Sequence, residues 1–234
     1  DNDYIAYRGI DRKTVTAFGI GASLDFHSLP HYLAKKGYTE EEMLRCGVCQ
    51  KKTREDGSSY LFDALGGRLI IPIINNLNNV IAFGGRLLEQ KPQFAKYKNT
   101  QETDLFIKNR TLYNINNLKK EKATNGLTRI IMVEGYMDAI SVYNAGFHNV
   151  VASMGTSLTV EQARMLKRYA DTVLISYDGD GAGQKATIRG LEILKKEGLE
   201  VKVVSLPDGL DPDDVIKKFG AEAYGQLLDD SLPL

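Results

Sequence analysis

The sequence predicts an α/β protein: a mixed α/β N-terminal region, then a mainly parallel sheet flanked by helices. Three observations carry this. From Ile130 onward, four apolar runs alternate with helical patterns, at the roughly 10 to 15 residue spacing of strand–helix–strand units. Before that, short helical segments give way to two apolar runs joined by an Asn-rich turn. The 234 residues are 43% hydrophobic and 26% charged, a globular composition with room for one large domain or two small ones.

In chain order, Asp11 before Lys13–Phe18 and Thr39 before Glu40–Leu44 read as helix caps with acids in the first turn. Residues 1–60 thus read as short helices and turns. Leu69–Ile74 and Val80–Phe83, joined by Asn75–Asn79, read as a hairpin, with Pro72 at an edge or bulge. Residues 89–126 are polar and irregular, with one helix near Tyr113–Lys122. After Gly126, strands are expected at Ile130–Val133, Val150–Ala152, Val173–Ser176 and Val201–Ser205. Helices are expected between them at Met137–Asn144, Thr159–Tyr169 and Gly183–Lys196. No internal repeat or low-complexity tract interrupts the chain.

Several classes are excluded. The longest apolar runs fall far short of the roughly 20 residues that cross a bilayer, and Asp1-Asn2-Asp3-Tyr4 has no signal-peptide character. With Cys46 and Cys49 as the only cysteines, a disulfide scaffold is out and a reducing cytoplasm is expected. These two form half a zinc site with no second pair, so no zinc is expected. His27 and His31 are four apart, but Pro30 is expected to interrupt the helix that would align them. Thirty Lys and Arg balance thirty Asp and Glu, so any polyanion must be met by a local patch.

Three strands deliver acids to one sheet edge. Ile130–Val133 runs into Glu134-Gly135 with Asp138 close behind; Val173–Tyr177 runs into Asp178-Gly179-Asp180; the strand at Val201 leads to Asp208, Asp211, Asp213 and Asp214. Ligands of such sheets sit outside the carboxyl ends of the strands. Clustered carboxylates repel one another and are tolerated mainly where cations neutralise them, and hard oxygen donors favour Mg²⁺ or Mn²⁺. Simpler readings stand beside this. Asp211 before Pro212 fits a helix cap, and Asp178 and Asp180 fit a Gly-rich turn. An EF-hand is excluded because the twelfth position from Asp178 is Arg189. Glu134 is required by neither a cap nor a turn.

The ordered set EGYMD, MGTSLT, YDGDGAG and PDGLDPDD resembles the Toprim domain of bacterial DnaG-type primases. Upstream, YIAYRGID, FGIG, YLAKKGYTEEEML, GRLIIPI, IAFGGRLL, KYKNTQETDLFIKNRTLY and NINNLKK are similar to successive segments of the primase RNA polymerase core. The resemblance covers nearly the whole chain. It implies an N-terminal α/β subdomain at 1–126 with a basic nucleic-acid-binding segment, a Toprim catalytic subdomain at 127–214 and a helical tail at 215–234. A zinc-ribbon domain is expected before residue 1 and a helicase-binding domain after the core.

By the same resemblance, the chain is expected to make RNA primers on single-stranded DNA from ribonucleoside triphosphates, as a monomer at the bacterial replication fork. Glu134, Asp178 and Asp180 would be catalytic. Glu134, Asp178, Asp180, Asp211 and Asp213 would hold two or more Mg²⁺ or Mn²⁺ ions, with Asp138 adjoining. Between Gly84 and Arg110 stand six cations (Arg86, Lys91, Lys96, Lys98, Lys108, Arg110) against three acids. Arg68, Arg86, Lys96, Asn99 and Lys108 are the expected template or nucleotide contacts, with Tyr97 adding stacking and Thr100 a polar contact. Departures from the family pattern are Gly181, Lys98 and the segment GASLDFHSL after Ile20; none removes a carboxylate. A topoisomerase or nuclease on the same domain, a non-catalytic replication module and a phosphoacceptor receiver domain are the competing readings. The upstream primase segments, the full carboxylate set and the acids after the last strand argue against each in turn.

Overall fold

The computed structural model describes residues 2–89, 92–155, 157–178 and 190–233. Lys91, Asp180, Gly181 and part of the helix expected at Gly183–Lys196 lie outside these residues; within them, 190–196 is helical. The chain divides into two compact units, Asp1–Ile73 with Val80–Ile107, and Ile74–Asn79 with Lys108–Leu234. No described helix is long and apolar enough to cross a membrane.

The first unit carries helices α1 (Asn2–Tyr7), α2 (Arg12–Phe18), α3 (Ser28–Lys35) and α4 (Glu40–Arg45). Asp11 caps α2, accepting from the Thr14 N–H at 2.6 Å. Gly19, at φ 64°, closes it, a left-handed backbone that glycine adopts without strain. Thr39 and Glu42 cap α4 reciprocally at 3.2 and 2.7 Å. Pro30 does not interrupt a helix: it sits in the first turn of α3, where the missing N–H would have no intrahelical partner anyway.

Its strands are β1 (Gly21–Ser23), β2 (Cys49–Thr53), β3 (Ser59–Asp63), β4 (Arg68–Ile74), β5 (Val80–Leu87) and β6 (Tyr97–Asn99). One sheet runs β1-β4-β5-β6, and β2 and β3 form a separate hairpin. Neighbours β4 and β5 are the two strands expected around Asn75–Asn79. β1 pairs only with Arg68–Ile70, so Pro72 falls where β4 has no partner on that side, as its missing donor requires. The reading of residues 1–60 as helices and turns is corrected by β1, β2 and β3. β2 is exposed along Lys51–Thr53, so it lacks the alternation that marks a half-buried strand. The signal that was present is Asp56-Gly57, with Gly57 at φ 83°.

The second unit begins with a 3-10 turn, Lys108–Arg110, and continues α5 (Ile115–Asn125), β7 (Arg129–Val133), α6 (Tyr136–Asn144), β8 (Val150–Ala152), α7 (Val160–Lys167), β9 (Thr172–Ile175), β10 (Glu200–Val203), α8 (Pro212–Asp229) and β11 (Leu232–Pro233). The sheet order is β11-β10-β9-β7-β8. The pairs β10–β9, β9–β7 and β7–β8 are parallel. The segment expected as a helical tail is helical to Asp229 except at Gly220, whose φ of 88° kinks α8 into two helical pieces, and then adds β11, antiparallel to β10.

Strands buried on both faces explain the continuous apolar runs. Ile130, Met132, Val151, Val173, Ile175 and Val201 share one core with Leu112, with Ile115 and Leu118 of α5, and with Ala163 and Leu166 of α7. The opposite parity, Ile131 and Val133, is equally buried, and α6 packs on β7, β8 and α8. The chain leaves β7 toward β8 and leaves β9 toward β10, in opposite directions. The carboxyl ends of β7 and β9 therefore flank a topological switch point, where open α/β sheets bind their ligands.

Candidate active site

Glu134 directly follows β7, and its carbonyl accepts from the Gly155 N–H at 3.3 Å. Its side chain is partly buried, with Oε1 shielded from solvent. Asp138 lies in the first turn of α6 and accepts from the Gly135 N–H at 3.2 Å. A Cβ on residue 135 would stand 2.9 Å from Asp138 Oδ2, so a larger residue there would push this carboxylate from its present position. Across the loop, Met154 and Gly155 both take positive φ, 59° and 74°, an uncommon backbone for a buried methionine.

Asp178 follows β9, with Oδ1 shielded from solvent. Asp211 caps α8, accepting from the Asp214 N–H at 2.7 Å, ahead of Pro212 at the first helical position. The capping role is thus realised, and it leaves the second oxygen of Asp211 outside that bond. Asp213 is buried, with Oδ1 accepting from Ser141 Oγ at 2.7 Å and Oδ2 from Lys217 Nζ at 2.6 Å. Burial, then the charges of Asp211 and Asp178, then that of Asp213, push Asp138 up to about 8, against the opposing Gly135 hydrogen bond. That coupling brings Asp138, Asp178, Asp211 and Asp213 into one neighbourhood. Glu134 lies near Tyr177, whose hydroxyl is pushed up to about 12 by burial and by the Glu134 charge, against a hydrogen bond with Ser153.

Hard carboxylate oxygens gathered in this way fit Mg²⁺ or Mn²⁺ in chemistry. Among the described residues, no group of three His, Cys, Asp or Glu side chains is placed to hold a metal ion; Asp180 lies outside them. Ser141, Lys217, Ser153 and Tyr177 were not singled out in the sequence. Lys217 had a signal, the i,i+4 spacing from Asp213, whereas Ser141 and Ser153 meet their partners only through the fold.

The basic residues divide sharply. Arg68 is 4% exposed, and its guanidinium donates to the carbonyls of Gly85, Ala95 and Lys96 at 3.4, 2.9 and 3.2 Å. Lys98 Nζ donates to the Ala64 carbonyl at 2.9 Å; its ammonium is pushed below the usual range by burial and by Arg68, with Asp63 opposing. Arg86 lies 3.8 Å from the Tyr4 ring centroid and donates to the Leu87 carbonyl. Lys96 is exposed and sits over the Tyr97 ring, itself 40% exposed. Asn99 pairs with Gly84 across the β5–β6 ladder, and Thr100 is buried, its hydroxyl accepting from the Phe83 N–H.

In the second unit, Lys108 opens the 3-10 turn. That turn is held by Thr159 Oγ1, donating to the Asn109 carbonyl at 2.6 Å, and by buried Gln162, donating to the Thr111 carbonyl at 2.8 Å. A cavity of about 930 Å³ in the first unit, between α3, α4 and β4, is lined by none of the expected site residues except Thr100.

A parallel sheet with carboxylates at its switch point is the arrangement that the Toprim resemblance implies. Family comparison agrees: residues 131–216 match a Toprim-like family, and residues 1–119 match the N-terminal domain of the DNA primase catalytic core. The chain is 42% identical over 233 residues to a DNA primase of Clostridium acetobutylicum, covering 99% of this chain and 37% of that protein. Among solved structures, it is similar to the zinc-binding and RNA polymerase domains of Aquifex aeolicus primase, with TM-score 0.88 and 33% identity, covering 100% of this chain and 56% of that one. It is also similar to a DnaG primase catalytic domain bound to single-stranded DNA, with TM-score 0.86 and 32% identity, covering 99% and 74%. The chain belongs to the family of bacterial DnaG-type DNA primase catalytic cores. It spans less than two fifths of the length of the curated relatives it matches first.

Proposed function

We propose that the chain is the nucleotidyl-transfer core of a bacterial DNA primase, extending short RNA primers on a single-stranded DNA template. The observation that carries this is the placement of Glu134 and Asp178 at the two strand ends that flank the switch point, with Asp138 and Asp211 beside them, in a chain matching primase cores over its whole length. In the reaction a primer 3'-hydroxyl loses its proton to solvent as its oxygen bonds to the α-phosphorus of an incoming ribonucleoside triphosphate, the bond to the bridging oxygen breaks and pyrophosphate leaves. Two or more Mg²⁺ or Mn²⁺ ions, held by acids of the set Glu134, Asp178, Asp180, Asp211 and Asp213, would supply charge stabilisation for the nucleophile and the leaving group.

The chain's own residues do the rest. Gly135 and the Asp138 carboxylate fix the turn that presents Glu134. Exposed Lys96 with Tyr97, and Lys108 on its braced turn, suit phosphate contact and base stacking. Arg86 and Asn99 flank that segment. Arg68 acts from within, by holding the Ala95–Lys96 backbone in place. A cytoplasmic location at the replication fork, and association with a replicative helicase through another part of a longer protein, complete this reading. Primer synthesis from labelled ribonucleotides on single-stranded DNA with Mg²⁺ or Mn²⁺ tests it. Glu134→Gln should lower the rate more than about a hundredfold while melting as the wild type does; activity within about threefold, some 0.65 kcal/mol of barrier, would remove Glu134 from the chemistry.

A further inference from the structure

Asp213 differs from the other strand-end acids in what it touches. It is 4% exposed, the most buried of these acids among the described residues, and each of its oxygens has a partner at close range: Ser141 Oγ at 2.7 Å and Lys217 Nζ at 2.6 Å. Ser141 stands on α6, the helix that begins just after Glu134 and carries Asp138 in its first turn. Lys217 stands on α8, the helix that Asp211 caps. Asp213 and Lys217 pair within α8 at i,i+4 spacing, so Lys217 fixes the carboxylate on its own helix while the Ser141 hydroxyl carries the bond across to α6, the helix that α8 packs against.

A buried carboxylate already matched by an ammonium and a hydroxyl has its charge balanced without a metal. Displacing Lys217 to admit a cation would give up a charge-assisted bond to a buried carboxylate. We propose that Asp213 is a positioning residue and not a cation ligand. Ser141, Asp213 and Lys217 form a latch that sets the start of α8 against the start of α6, and so places Asp211 beside Asp138. The inference rests on the reading of the strand-end acids as a cation site and deepens it, by assigning Asp213 the partner Lys217 instead of Mg²⁺ or Mn²⁺.

Mn²⁺ binding followed by electron paramagnetic resonance, with melting in EDTA, tests this on wild type, Asp213→Asn, Lys217→Met, Lys217→Arg, Ser141→Ala and Asp178→Asn. Asp213→Asn should keep the wild-type number of bound Mn²⁺ ions while weakening their affinity severalfold. Lys217→Met should weaken affinity to a similar degree, with Lys217→Arg restoring it to within about twofold, because the guanidinium can still pair with the carboxylate. Loss of one Mn²⁺ per chain in Asp213→Asn would overturn the proposal, as would tighter binding in Lys217→Met, the sign of a lysine competing with metal for a true ligand. Asp178→Asn serves as the control on the cation site. If it leaves Mn²⁺ binding untouched, the metal reading fails, and the latch is then decided by the EDTA melts. There Lys217→Met and Ser141→Ala should both melt below wild type, and wild-type melting in both would overturn the latch.

Discussion

In the first unit, buried charge is matched where it stands: Arg68 spends its guanidinium on three backbone carbonyls, and Lys98 pairs with the Ala64 carbonyl near Asp63. In the second unit, like charges are gathered. Asp138 is disfavoured as an anion by burial and by the charges of Asp211 and Asp178, with a single backbone N–H opposing. The contrast separates charge matched by a partner from charge set against its own kind. Removing the first kind should destabilise the molecule, and removing the second should relieve it, because like charges held together cost the fold free energy.

The largest effect is expected at Arg68. Arg68→Met should lower stability by about 3 kcal/mol, since it removes a buried charge's hydrogen bonds to three backbone carbonyls, that of Gly85 buried and those of Ala95 and Lys96 part-buried. Lys96→Ala sharpens the comparison: its exposed ammonium should change stability by less than about 0.5 kcal/mol. The same variant should reduce the salt slope of single-stranded DNA binding by about 0.7 for one lost phosphate contact. Denaturant unfolding and salt-dependent binding of both variants check this. An Arg68→Met protein as stable as wild type, or a Lys96→Ala slope unchanged, would erase the distinction between the two basic residues.

A smaller, pH-dependent effect concerns Cys49. Burial, with the charges of Asp63 and Cys46 adding, pushes its thiol up to about 11. The unfolded chain therefore releases this proton first as pH rises, so the native state loses stability between about 9 and about 11, and none from this group below that window. At pH 8 little Cys49 is thiolate in the native protein. Iodoacetamide should modify exposed Cys46 first, and rapid native-state labelling of Cys49 at pH 8 would contradict the burial that explains the shift.

Legibility in the sequence follows the same division. The parallel sheet was readable because strands buried on both faces print as unbroken runs such as Ile130–Val133 and Val173–Ile175. The acids were readable because glycine beside a strand end marks a sharp turn, and a side chain at Gly135 would require the Asp138 carboxylate to shift. The polar hairpin β2–β3 and the short strands β1, β6 and β11 escaped, since exposed or very short strands carry no hydrophobic period. Arg68 shows why composition misleads within a basic segment. Its spacing does not tell that it points inward, and only the approach of β5 and the Ala95–Lys96 backbone makes it a clamp. Ser141 and Asp213 are 72 residues apart, and nothing local announces that they meet.

The central claim is that the second unit gathers carboxylates because it is built to receive cations, and the melting temperature in EDTA against millimolar Mg²⁺ or Mn²⁺ tests it most directly. Cations that bind the assembled acids better than the unfolded chain should raise the melting temperature, by about 2.7 kcal/mol of stabilisation at a hundredfold excess over Kd. Asp178→Asn should melt above wild type in EDTA and gain less from metal. A wild-type melting temperature that is the same in EDTA and in saturating Mn²⁺ would contradict the account.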